Sequence, residues 1–237
     1  MGHKSETTAK CLLFDMDGTL IDSTPAVDSV WEAIAKKYDL DLKEVLKTCH
    51  GRRTVDSLKK WCGITDPEEL EKEVNHFESM IVTRSKELKD EGKRGLEILP
   101  GVKEMLETLN DSHKPIWAIC TSATSAYAGD AIPSTGLPKP PHLITAEDVH
   151  EGKPDPAPYI AGAKALDVEC KDCIVFEDAP SGIKSGVNSG ARVLAVCTSH
   201  KRDQIENLGA EWIVTDLTKV KIRVEDSIVH LEIDETP

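Results

Sequence analysis

Cys11-Leu12-Leu13-Phe14-Asp15-Met16-Asp17-Gly18-Thr19-Leu20 is the stretch on which the fold turns. An unbroken apolar run followed by two Asp and a Gly reads as a strand covered on both faces that ends in a polar turn. Comparable apolar runs recur at 116–121, 142–145, 173–176, 193–197 and 212–214, with longer helical patterns between them. That alternation builds βαβ units around a parallel sheet. The predicted fold is α/β, a doubly wound, Rossmann-like parallel sheet. Near the C-terminus Ile222 and Val224, then Val229, Leu231 and Ile233, alternate with more polar residues about Glu225-Asp226-Ser227. This predicts a terminal antiparallel hairpin at a sheet edge.

Between the first strand and the second lie about 100 residues, where one crossover helix needs a few tens. The excess is an insertion. Val27, Val30, Trp31, Ile34 and Ala35 keep helical spacing, and further helical segments run through 55–61 and 67–89. The expected organisation is an α/β core of residues 1–24 and 96–237 with a helical cap of residues 25–95. After Leu99-Pro100-Gly101, the residues Val102, Met105, Leu106 and Leu109 predict a helix leading back to the sheet.

Composition narrows the class. Hydrophobic residues make up 39% of the chain but aromatics only 4%, so the core must be aliphatic. The net charge of -13 opposes nucleic acid and anionic lipid, whose binding depends on Lys and Arg neutralising phosphates. A small anion held by a few local charges remains compatible. Met1-Gly2-His3-Lys4-Ser5-Glu6 carries no apolar stretch of the kind that opens a leader, and no apolar run along the sequence approaches the length that spans a bilayer. A cytoplasmic, monomeric protein is expected. The seven Cys are irregularly spaced, as reduced core thiols are, and Cys170-Lys171-Asp172-Cys173 precedes a strand instead of opening a helix as a redox pair does.

Ligands of such sheets bind at the carboxyl ends of the strands. The residues there are Asp15, Asp17 and Gly18 after the first strand, Thr121 and Ser122 after the second, and Glu177 and Asp178 after the fourth. Gly152-Lys153-Pro154-Asp155-Pro156 follows the third. Four carboxylates, one Lys and two hydroxyls describe a divalent-cation site suited to phosphoryl chemistry. Taken singly each motif has a plain reading: a strand-end Asp caps a turn, and Thr-Ser caps a helix. Gly182, Gly186 and Gly190 are read as helix-to-sheet packing, and His76, His113, His142 and His200 as structural.

In the right order along the chain, DMDGTL, a strand ending in Thr-Ser, GKPDP and FEDAPSG resemble the haloacid dehalogenase superfamily of aspartyl-phosphate hydrolases. The segment His50-Gly51-Arg52-Arg53-Thr54 with Asp56, and the ED-AP-SG form of the last motif, are similar to the fungal glycerol-phosphate and 2-deoxyglucose-6-phosphate phosphatases. The resemblance implies that Asp15 is the nucleophile and Asp17 the general acid and base. It implies Mg²⁺ held by Asp15, the backbone carbonyl of Asp17 and Asp178, with Glu177 binding directly or through a water. Lys153, Thr121, the Ser122 N–H and Gly18 would serve the phosphoryl oxygens. As an acid at neutral pH, Asp17 must hold its proton some three pH units above the roughly 3.9 of a free Asp, a difference of about 4 kcal/mol. The charge sum favours this, since the carboxylates and a phosphate dianion carry about six negative charges against three positive from Mg²⁺ and Lys153.

Arg52 and Arg53 precede a helix that Thr54 is expected to cap, where positive charge opposes the macrodipole by roughly 0.3 to 1 kcal/mol. His50, Arg52 and Arg53 are therefore candidates for reaching from the cap to the substrate. A dehalogenase has no need of Asp17. Related β-phosphoglucomutases carry a His in the first cap helix where this chain has Val27, which favours a phosphatase over a mutase. A binder without turnover would lack Asp15 or Asp17. The expected partner is a small phosphorylated metabolite, with glycerol phosphate the first choice and a sugar phosphate next.

Overall fold

A computed structural model describes residues 3–236 of the chain. The strands are β1 (Lys4–Ala9), β2 (Cys11–Phe14), β3 (Ile21–Asp22), β4 (Glu97–Ile98), β5 (Trp117–Cys120), β6 (Leu143–Ile144), β7 (Cys173–Glu177), β8 (Arg192–Val196), β9 (Trp212–Val214), β10 (Val220–Glu225) and β11 (Ile228–Asp234). Six of them form one parallel sheet in the order β6-β5-β2-β7-β8-β9. Every residue of β2, β5, β7 and β9 is buried, which is why these segments read as unbroken apolar runs. The chain leaves β2 for β5 on one side and later returns to β7 on the other. The end of β2 is thus the topological switch point at which such sheets bind ligands.

The insertion holds four helices, α1 (Thr24–Tyr38), α2 (Leu42–Cys49), α3 (Thr54–Cys62) and α4 (Pro67–Asp90), entered and left through the paired strands β3 and β4. Asp66 starts α4 by accepting from the Glu69 N–H, ahead of Pro67 and two acidic residues in the first turn. Trp31 of α1 packs on Phe77 of α4, ring centres 5.0 Å apart. The helices of the core are α5 (Val102–Asn110), α6 (Ser125–Thr135), α7 (Ala157–Ala165), α8 (Pro180–Asn188) and the short α9 (Arg202–Ile205). The four apolar residues that predict α5 are all buried. Helix α7 packs on β2, β5 and β6, and α8 on β7 and β8.

The expected C-terminal hairpin is present, β10 against β11, and it belongs to a separate antiparallel sheet in which β11 also pairs with β1, Lys4 opposite Asp234 through Ala9 opposite Val229. β1 has no apolar alternation, and backbone pairing with β11 recruits it. One expectation needs correction, because Thr54 does not cap α3: Arg53 is the N-cap residue without a side-chain bond, and the Thr54 hydroxyl donates to Glu78 Oε1 at 2.7 Å. All seven Cys are free thiols, and burial pushes Cys170 and Cys173 up, away from redox reactivity. Among the described residues no helix is long and apolar enough to cross a membrane.

Candidate active site

Asp15 is the first residue beyond β2, its N–H still donating to Phe176 O at 3.0 Å, so the sheet aims its side chain. Lys153 Nζ donates to Asp15 Oδ1 at 2.5 Å and to Glu177 Oε1 at 2.7 Å, and the side-chain end of Lys153 is sealed from solvent. Burial opposes the ammonium charge, but the two carboxylates outweigh it and raise the Lys153 pKa. Asp15 Oδ2 is buried with no hydrogen-bond partner among the described residues. Burial raises Asp15 well above the usual carboxylate range; Lys153 works against the shift, while Glu177 and Asp178 add to it.

Glu177 ends β7 and is completely buried. Its Oε1 accepts from Lys153 and from the Tyr159 hydroxyl at 2.7 Å, and its Oε2 from the N–H groups of Asp178 at 3.0 Å and Ala179 at 3.2 Å. Four donors fill the four lone-pair directions of a carboxylate. Asp178 accepts from the hydroxyls of Thr19, at 2.9 Å, and Ser199. Burial, together with Glu177, pushes its pKa up to about 7. Gly18 has φ +94°, and a Cβ there would lie 2.2 Å from Asp178 Oδ2, so no other residue fits the turn.

Asp15, Glu177 and Asp178 offer oxygens within 4.8 Å of one another. Three buried carboxylates against one ammonium leave a deficit of two charges, which a divalent cation makes good. The orphaned Asp15 Oδ2 gives such an ion a ligand. The residues present fit Mg²⁺, with Glu177 already engaged by its four donors.

Asp17 faces a cavity of about 70 Å³ between the sheet and the inserted helices. Its Oδ1 accepts from the Tyr127 hydroxyl at 2.8 Å. Burial raises its pKa, and hydroxyls of Ser23 and Tyr127 limit the rise. Thr121 and Ser122 line the same cavity. The Thr121 hydroxyl accepts from the Ala123 N–H at 3.1 Å. Ser122 and Ser181 both donate to the carbonyl of Gly51, at 3.2 and 3.0 Å, and so seat the cap loop on the core.

The structure separates the three cap candidates. His50 lines the cavity and pairs with Asp28 at 3.1 Å. Arg52 is exposed at the cavity mouth. Arg53 turns away: its guanidinium grips Asp56 at 2.8 and 3.3 Å and donates to His150 O at 2.9 Å, clamping the inserted helices to the α/β part. Sequence reading misses Thr19, Ser199, Tyr127, Tyr159 and Glu78. Only Glu78 carries a legible signal, a charge within the buried stripe Leu70, Val74, Phe77, Ile81 of α4. His200, read as structural, stands edge-on to His50 at 6.4 Å.

Residues 12–196 match the family described as haloacid dehalogenase-like hydrolase. The chain belongs to this family. It is an enzyme, a phosphatase of the haloacid dehalogenase type. It is 37% identical to hexitol phosphatase A of Escherichia coli, covering 79% of this chain and 82% of that one. Identity to glycerol-1-phosphate phosphohydrolase 2 of Saccharomyces cerevisiae is 33%, covering 89% and 83%. The 2-deoxyglucose-6-phosphate phosphatase 2 of the same yeast is 30% identical, with 89% of each chain covered. The fold matches the crystal structure of a HAD hydrolase, family IA, variant 3, from Entamoeba histolytica with a TM-score of 0.74 at 24% identity, covering 89% and 95%.

Proposed function

We propose that this phosphatase hydrolyses a small phosphomonoester of a polyol or sugar, glycerol phosphate first among them, through an aspartyl phosphate on Asp15 and with Mg²⁺ as cofactor. The observation that carries the reading is the Asp15 carboxylate, held through Oδ1 by Lys153 and left with a buried, unpartnered Oδ2 beside Asp17. One oxygen of Asp15 attacks phosphorus as the ester P–O bond breaks, and Asp17 gives its proton to the leaving alkoxide. Water then attacks phosphorus, Asp17 takes back a proton, and the bond from Asp15 to phosphorus breaks to release inorganic phosphate. Asp15, Asp178 and the Asp17 carbonyl would hold Mg²⁺, which would supply charge stabilisation to the phosphoryl oxygens.

The chain's own residues prepare these steps. The raised pKa of Asp17 supports an acid that still holds its proton, and the Tyr127 hydroxyl fixes its direction. Lys153, Thr121 and the Ser122 N–H receive phosphoryl oxygens, while Glu177 locks Lys153 in place. Gly18 lets the turn carry Asp17 past Asp178. Residues 25–95 act as the cap over the core of residues 1–24 and 96–237, excluding water and bulky phosphoproteins. A cavity of about 70 Å³ supports a small substrate, and apolar Val27 in its wall supports hydrolysis over transfer between sugar positions. The test is phosphate release from glycerol phosphate and sugar phosphates, with Mg²⁺ and with chelator. We expect chelator to abolish turnover and Asp15→Asn to lower kcat on the order of 10³-fold or more. Activity that survives either would overturn the reading.

A further inference from the structure

Glu78 is a buried carboxylate in the wall of the catalytic cavity, only 4% exposed, on the cap helix α4. All its donors are neutral: the Thr54 hydroxyl at 2.7 Å on Oε1, and the Thr124 N–H at 3.3 Å and hydroxyl on Oε2. Cap and core therefore hold the group from both sides. A carboxylate oxygen accepts two hydrogen bonds, so Oε1, with one donor, keeps an acceptor site. A buried acceptor left short of partners is costly, and a hydroxyl entering the cavity satisfies it. Burial raises the Glu78 carboxyl, while the hydrogen bonds from Thr124 and Thr54 favour its ionised form, and in a space walled by Val27, Trp31, Phe77 and Ile81 that ionised form repels a second anion more strongly than it would in water.

The positive groups of the cavity do not cancel this. Arg52 lies at the mouth, where solvent screens it, and His50 is already paired with Asp28. Arg53 is spent on Asp56 and the His150 carbonyl. The part of the cavity beside Glu78 therefore favours a hydroxyl over a second anionic group.

We propose that Glu78 selects the leaving group, accepting a hydroxyl of an uncharged polyol or sugar and rejecting phosphate esters that carry a second anionic group. This rests on the phosphatase reading above and adds the residue that discriminates among esters. Without that discrimination, Glu78 would be only a cap-to-core latch through Thr124, and a latch does not distinguish substrates of equal size.

The experiment compares kcat/KM for glycerol phosphate and for phosphoglycolate, a carboxylate-bearing ester of similar size, in the wild type and in Glu78→Gln, with thermal unfolding confirming that the variant is folded. We expect the wild type to favour glycerol phosphate by about tenfold or more, and Glu78→Gln to shrink that ratio about tenfold by raising turnover of phosphoglycolate and lowering that of glycerol phosphate. An equal loss on both esters assigns Glu78 to the latch alone and overturns the proposal. A wild-type preference for phosphoglycolate overturns it with no variant needed, whatever the stability of Glu78→Gln. A wild type that releases phosphate from neither ester, nor from p-nitrophenyl phosphate, overturns the phosphatase reading and this inference with it.

Discussion

At the level of single residues, His50 shows how one partner sets an ionisation. Burial alone would drive the imidazole neutral, yet hydrogen bonds to Asp28 and Cys49 push its pKa up to about 10. The folded pKa lies above the unfolded value near 6.5, so the pair's stabilisation is fully present below that pH and is lost as pH rises through about 10. In Asp28→Asn the burial penalty acts with its main opponent gone, and the His50 proton resonances should titrate well below the wild-type midpoint; an unchanged NMR titration would remove Asp28 as the cause. The neighbouring arginines show the limit of sequence reading. Arg52 and Arg53 are identical in chemistry and adjacent, and the macrodipole argument applies to both. Which one opens to the cavity follows from Asp56 and His150, and His150 lies 97 positions along the chain from Arg53. Asp15, Asp17, Lys153 and Asp178 were legible because strand ends are recognisable locally. Tyr127 was not, because nothing near it in sequence tells that its hydroxyl ends on Asp17, 110 positions away.

At the level of elements, α8 shows what a row of small residues is for. A Cβ at Gly182 would lie 1.6 Å from Glu177 Oε1, and one at Gly186 would lie 2.8 Å from Val193. Close helix-to-sheet packing was the reading of the spacing, and at Gly182 the surface packed against is the carboxylate that locks Lys153. Gly182→Ala should destabilise the fold by about 1 to 3 kcal/mol, typical of overpacking, and also lower kcat by displacing Glu177. Gly190, past the end of α8, has open space for a Cβ but φ +83°. Gly190→Ala should cost about 1 to 2 kcal/mol with kcat unchanged. Denaturant unfolding alongside steady-state turnover separates the two, and a Gly182→Ala enzyme with normal kcat would show that Glu177 need not sit where it does. The strands of the parallel sheet were legible because continuous burial demands continuous apolar sequence. β1 was not, because Lys4-Ser5-Glu6-Thr7-Thr8-Ala9 contributes backbone pairing and little apolar surface.

At the level of the whole molecule, the acid excess has a local consequence. Burial raises both Asp15 and Asp178, so between about pH 4 and 7 this pair holds more protons in the folded chain than in the unfolded one. Stability from this cluster is therefore greatest at low pH and falls as pH rises toward 7 and beyond. A divalent cation held by these carboxylates would replace the protons. Excess Mg²⁺ should raise Tm at pH 8, by the equivalent of about 2.7 kcal/mol at a hundredfold excess over Kd, and should raise it less at pH 5, where protons compete. A calorimetric gain independent of pH would contradict the carboxylate site. The sequence by itself determined the α/β class, the helical insertion and which strand-end carboxylates gather at one end of the sheet, because hydrophobic period and strand-end polarity are local properties of the chain. Only the tertiary structure decided that Glu177 is saturated by donors, that Arg53 clamps while Arg52 opens outward, and that Glu78 enters the cavity. Those outcomes depend on contacts such as Glu78 to Thr124, 46 positions apart, and Arg53 to His150, 97 apart, which packing creates and no local pattern records.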